Sequence, residues 1–198
     1  MKTVLITPPV KEPITMPEVK AQCRITIDTE DDLIDRYIVT ARKRVENVLG
    51  RALITQTWDY YLDDWPGRDY IVIPYGQLQS VTHVKYTDTA SAQTEWSNTE
   101  YNFDIVSDPG RVILEYGYTW PSASLHPENP IVIRFVCGYG TAKADVPEPI
   151  RQAILFYAAQ LYENREPFFI GPHDMKEVPL GFWDFLGDYR LHRFGEPN

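Results

Sequence analysis

Thr29-Glu30-Asp31-Asp32-Leu33-Ile34-Asp35-Arg36-Tyr37-Ile38-Val39-Thr40-Ala41-Arg42-Lys43-Arg44-Val45-Glu46-Asn47-Val48-Leu49-Gly50-Arg51 is the stretch that decides the fold. Within it Leu33, Ile34, Tyr37, Ile38, Ala41, Val45, Val48 and Leu49 recur at three- and four-residue spacing. That spacing draws one apolar stripe along a helix roughly 30 Å long. Thr29 is the predicted N-cap, with Asp32 three residues on and Glu30, Asp31 and Asp35 near the positive end of the dipole. Gly50 is a natural stop. A helix with one apolar stripe must bury it against something, and the nearest partner is a second amphipathic run far downstream. Val146-Pro147-Glu148-Pro149-Ile150 through Tyr162-Glu163-Asn164-Arg165 predicts a helix burying Ile150, Ala153, Ile154, Tyr157, Ala158 and Leu161, with small residues suited to close packing.

Between the two helices the period changes from 3.6 to two. Thr57–Leu62, Tyr70–Pro74, Leu78–Tyr86, Tyr101–Val106, Arg111–Leu114 and Ile131–Cys137 read as short strands, separated by Trp65-Pro66-Gly67, Asp108-Pro109-Gly110 and other turn signals. Closely spaced strands of this kind make an antiparallel sheet or small sandwich rather than a parallel α/β sheet. Upstream, Pro17 opens a short helix ending at Cys23, and Pro8, Pro9 and Pro13 keep the first residues extended and deny them ladder hydrogen bonds. The expected class is therefore α+β: a helical core of two long amphipathic helices plus a short one, an inserted antiparallel β module, and an extended C-terminal tail. The expected boundaries are 1–16 for an N-terminal extended arm, 17–54 with 145–165 for the helical core, 55–144 for the β module and 166–198 for an aromatic tail.

The formal net charge of −9 is concentrated. Between Thr55 and Pro130 there are 11 acids against three bases. Such a surface repels phosphate and argues against a sequence-reading DNA binder, though not against a surface past which DNA slides. Two cysteines, Cys23 and Cys137, give no disulfide framework and read as reduced, buried thiols. No stretch approaches a membrane span, and no apolar N-terminal run suits a signal peptide, so a soluble protein made in the cytosol is expected.

The search for chemistry is negative. His83, His126, His173 and His192 have no ligand-spaced partner, so no metal is expected, and no cofactor motif is present. Gly138-Tyr139-Gly140 lacks the third glycine of a nucleotide loop and reads as turn geometry. The acid pairs Asp31-Asp32 and Asp63-Asp64 serve a helix start and a loop better than a glycosidase site. Trp58, Tyr60, Trp65, Trp96 and Trp120 could stack on sugar, but strands and protein interfaces favour the same residues more strongly. The C-terminal tail is too aromatic for a solvated linker, and Phe182, Trp183, Phe185, Leu186, Tyr189, Arg190, Arg193 and Phe194 have the composition of interface anchors or of a lid on their own core.

The order of these pieces resembles the head-tail connector (adaptor) proteins of long-tailed phages and prophage-derived particles. The resemblance is carried by Glu18-Val19-Lys20 with Arg24-Ile25, Asp31-Asp32-Leu33-Ile34, Ala41-Arg42 and Gly50-Arg51-Ala52-Leu53-Ile54-Thr55-Gln56-Thr57-Trp58. Val81–Tyr86, Gly138-Tyr139-Gly140, Val146–Ile154 and Leu161–Arg165 continue it. It implies a non-enzymatic, homo-oligomeric ring, dodecameric in that family, seated under the portal of a DNA-filled capsid and offering its far face to a stopper or tail protein. Double-stranded DNA would pass through without sequence-specific binding, and the protein would reside in the particle neck with no membrane contact. The long β insertion departs from the smaller members of the family. The residues expected to serve such a ring are Phe182, Trp183, Phe185, Tyr189, Arg190 and Phe194 for portal docking, Arg42, Arg44 and Arg51 for the subunit interface, and Asp59, Asp63 and Asp64 for a channel-facing acidic surface. The competing readings are a stopper or tail-terminator component and a glycan-binding module.

Overall fold

The computed structural model describes residues 2–164 and 186–191. It is an α+β protein, and the three α-helices and eight β-strands among the described residues divide between two compact units. One unit comprises Met1–Val10 and Gly50–Tyr139, the other Lys11–Leu49 and Gly140–Asn198.

In the helical unit, α1 (Met16–Cys23), α2 (Asp31–Leu49) and α3 (Glu148–Glu163) pack on one another. The stripe on α2 buries Ile34, Ile38, Ala41, Val45 and Leu49, and α3 meets it with Ile150, Ala153, Ile154 and Ala158, while Val19 closes α1. Each of the larger aliphatics contributes about 1.5–3 kcal/mol by leaving water. Tyr157 and Leu161, expected in this core, are only half-buried. The cap also differs. Thr29 lies one residue too early: α2 starts at Asp31, and the carbonyl of Glu30 accepts the Leu33 and Ile34 N–H groups. Glu30 can take that place because its carboxylate is used elsewhere, accepting the Tyr162 hydroxyl of α3 at 2.6 Å.

A second polar node holds α1 to α3. Glu18 Oε2 accepts the Thr15 N–H at 2.6 Å, and its Oε1 accepts from Lys143 Nζ and Arg151 Nη2, both at 3.0 Å. Partial burial opposes ionisation here, but the Thr15 and Lys143 hydrogen bonds and the Lys143 charge overcome it and hold the Glu18 carboxyl at about 2, below its ordinary 4.5. Because the folded value is depressed, the stabilisation is complete above about 4.5 and is lost as the pH falls toward 2. Glu18→Gln is therefore expected to cost about 1–2 kcal/mol at neutral pH and to flatten the acid limb of stability in this window. Urea melts of both chains at several pH values check this, and parallel acid limbs would refute it.

The β unit holds two antiparallel sheets. The larger has the order β1-β2-β8-β4-β5 and the smaller β3-β7-β6. These are β1 (Lys2–Thr7), β2 (Gln56–Leu62), β3 (Tyr70–Val72), β4 (Leu78–Thr87), β5 (Gln93–Glu95), β6 (Tyr101–Asp104), β7 (Arg111–Leu114) and β8 (Ile131–Cys137). β8 is central and the most apolar strand, with Trp58 opposite Phe135 and Tyr60 opposite Ile133 in the β2 register. Its Ile131, Ile133 and Phe135 meet Ile71 and Val112 from the smaller sheet, and Ile73 just past β3, in one core. The expectation of an N-terminal arm without ladder hydrogen bonds is corrected for its first residues. Lys2–Thr7 precede Pro8 and so retain their donors, and β1 pairs with β2 from Lys2 opposite Tyr61 onward.

Candidate interaction surfaces

Two of the three arginines expected at a subunit interface are spent inside their own chain. Arg42 is buried; its Nε donates to Glu12 at 2.7 Å and its Nη1 to Glu46 at 2.6 Å. Arg51 is buried in the β unit and pairs with Asp108 at 2.6 Å, while its backbone bridges to Tyr75. Both correct the sequence reading: the stripe that defines α2 carries Arg42 at its edge, and a buried guanidinium requires local carboxylates. Arg44 is exposed, as is Lys43 beside it, and neither makes an ion pair among the described residues. Lys43, one of the bases near the C-terminal end of α2, was not among the expected interface residues. Its position on the outer face of α2, opposite Ile34, Ile38 and Val45, was the available signal.

The acids divide in the same way. Asp59 is no surface acid: it is 4% exposed and takes both Nε and Nη2 of Arg134 at 2.7 Å. The two residues face each other across β2 and β8, a cross-strand pairing that sequence alone does not give. Asp63 and Asp64 are exposed in the loop after β2, where Asp64 Oδ1 accepts the Trp65 N–H at 2.8 Å.

The tryptophans expected in the β segment come together. Trp65 stacks on Trp120 with ring centroids 5.1 Å apart, and Trp96 meets both at 5.6 and 5.4 Å. Trp96 is buried, its indole N–H donating to Glu100 at 2.7 Å, whereas Trp65 and Trp120 remain half-exposed. Trp120 Nε1 donates to the Arg68 carbonyl at 2.9 Å, but the buried Trp65 Nε1 has no acceptor among the described residues. Trp58 packs separately, on Tyr75 at 4.4 Å.

Of the aromatic tail, the structure describes Leu186–Leu191. Leu186 is buried, Gly187–Tyr189 form one 3-10 turn, and the Leu191 N–H donates to the Leu49 carbonyl at the end of α2. This short stretch closes the helical unit, leaving Tyr189 half-buried and Arg190 exposed. Phe182, Trp183, Phe185 and Phe194 lie outside the described residues. Among the described residues no group of three or more His, Cys, Asp or Glu could hold a metal ion, and no helix is long and apolar enough to cross a membrane.

No curated protein matches the chain. Residues 13–108, which run from the turn before α1 through β6, match the family described as phage gp6-like head-tail connector protein. Among solved structures, the fold is similar to a chain from the neck of an empty gene transfer agent particle computed with C6 symmetry, with TM-score 0.79 and 21% identity over 99% of each chain. A chain from the virion of a native gene transfer agent particle is equally similar, at TM-score 0.79 and 22% identity over 99% of both. A chain from the neck of a native particle computed with C12 symmetry gives TM-score 0.74 at 21% identity, again over 99% of each. These likenesses in fold cover α3 as well, beyond the segment that the family matches.

Proposed function

We propose that this chain forms a ring beneath the portal of a tailed phage or phage-like particle, joins capsid to tail, and leaves a channel through which double-stranded DNA passes. The observation that carries the reading is the family match over residues 13–108, which spans α1, α2 and the five strands β2 to β6. The neck origin of the similar chains, in particles treated with C6 and C12 symmetry, supports a dodecameric ring. The role is structural and not enzymatic. A ring is closed by a heterologous interface, one patch of each subunit meeting a different patch of the next. The β unit carries 11 acids against six bases, and its exposed acids, Asp63 and Asp64 among them, would keep phosphate from adhering to a channel wall.

Portal docking falls to Phe182, Trp183, Phe185 and Phe194 of the tail, together with Tyr189 and Arg190. Native mass spectrometry of the full chain with and without its portal tests the reading. The wild type is expected to join the portal as a ring. Trp183→Ala with Phe185→Ala, which leaves Leu186 in place, is expected to stay folded by circular dichroism and to lose the portal by tenfold or more in affinity, on the order of what buried aromatic anchors supply. A wild-type chain indifferent to the portal would overturn the ring, and unimpaired binding by the double variant would remove the tail from the contact.

A further inference from the structure

Two surfaces that the fold itself leaves unused are complementary in charge. The first is the outer face of α2, where Lys43 and Arg44 stand exposed and unpaired among the described residues. The second is the half-exposed Trp65–Trp120 stack of the β unit. Around it the backbone gathers exposed acids. The Asp69 carbonyl accepts the Leu114 N–H at 2.9 Å, which brings Asp69 beside Glu115, and the Trp120 indole hangs from the carbonyl of the preceding Arg68. Asp64 adjoins Trp65, and Tyr116 is 97% exposed.

Tyr116 presents a whole ring to water. Aromatic rings rimmed by carboxylates are the environment a Lys or Arg side chain prefers, because the ring faces and the acids attract the same cation. The protein already uses this device internally: the Arg68 guanidinium lies 4.6 Å from the centre of the Tyr70 ring.

We propose that Lys43 and Arg44 of one copy dock on the Trp65–Trp120 face of the next copy, between Asp64, Asp69 and Glu115, and that this heterologous contact closes the ring. The inference rests on the ring reading above and names the two patches that reading requires. Charge complementarity selects a second copy as the occupant: the receiving face is acidic, and the cations offered to it sit side by side on a rigid helix of the same chain. Nucleic acid is excluded from that face by its carboxylates.

The test is a charge exchange in the full chain, read by native mass spectrometry with the portal present. K43E/R44E and D69K/E115K are each expected to reduce ring assembly on the portal by tenfold or more, and the chain carrying all four substitutions to regain it. The four positions are exposed, so each variant should keep the wild-type urea midpoint, which separates assembly from folding. If both single-sided variants assemble like the wild type, the contact is wrong while the ring stands. If both fail and the four-fold variant also fails, these patches are not partners. If the wild type itself forms no ring on its portal, the ring reading falls first.

Discussion

Arg42→Ala is expected to destabilise the helical unit by about 3–5 kcal/mol, a large share of the stability of a small unit. Arg42 has a side-chain exposure of 7% and bridges Glu12, in the segment before α1, to Glu46, one turn further along α2. Its loss takes a guanidinium away from two carboxylates of 25% and 13% exposure and deletes a packed aliphatic stem. Two further variants separate these effects. Arg42→Met keeps the stem and should lose nearly as much, because desolvated acids near one another are the dominant cost. Arg42→Met with Glu12→Gln and Glu46→Gln should recover most of the loss, since exchanging a whole buried ion group for neutral residues is often close to neutral. Urea melts followed by circular dichroism decide the matter. An Arg42→Ala loss below about 1 kcal/mol would mean that solvent reaches the guanidinium and that Glu12 is not anchored by it.

The same arginine marks where sequence reading stops. The stripe Ile34, Ile38, Ala41, Val45, Leu49 was legible because helical periodicity is a local property, and so were α3 and six of the strands. Strands β1 and β5 were not. β1 is six residues beside two prolines, and only its pairing with β2, more than fifty residues away, makes it a strand. Charge was legible as a total but not as a distribution. Arg42, Arg44 and Arg51 look alike in sequence, yet Glu12 takes the first, Asp108 the third, and nothing described takes the second. Asp59 looked like Asp63 and Asp64 until the β2–β8 register placed it opposite Arg134. Sequence therefore finds the elements of the fold and the composition of its surfaces, whereas long-range pairing decides which charges remain at the surface.

Gly138→Ala is expected to cost the β unit about 3 kcal/mol or more, through a close approach that no side chain can relieve. Gly138 has φ +128°, and a Cβ built there would lie 2.8 Å from the carbonyl carbon and oxygen of Ile54 and 2.9 Å from Thr55 N. These are backbone atoms held on both sides. The Gly138 N–H donates to the Gln77 carbonyl at 3.0 Å, Gln79 Nε2 donates to the Gly138 carbonyl at 2.8 Å, and the Tyr139 N–H donates to Leu53 at 2.9 Å. The glycine thus fastens the end of the central strand to the segment leading into β2 and to the start of β4, a packing role and not a phosphate-binding one. Gly117→Ala supplies the comparison. Its φ is +85°, but nothing lies within 4 Å of the added carbon, so it should show backbone strain alone, about 1 kcal/mol. Gly67→Ala, with open space and no positive φ, should be neutral or slightly stabilising. If thermal or urea midpoints rank Gly138→Ala no lower than Gly117→Ala, the strand end can shift away from Ile54, and the Gly-Tyr-Gly turn is not the fastening inferred from these distances.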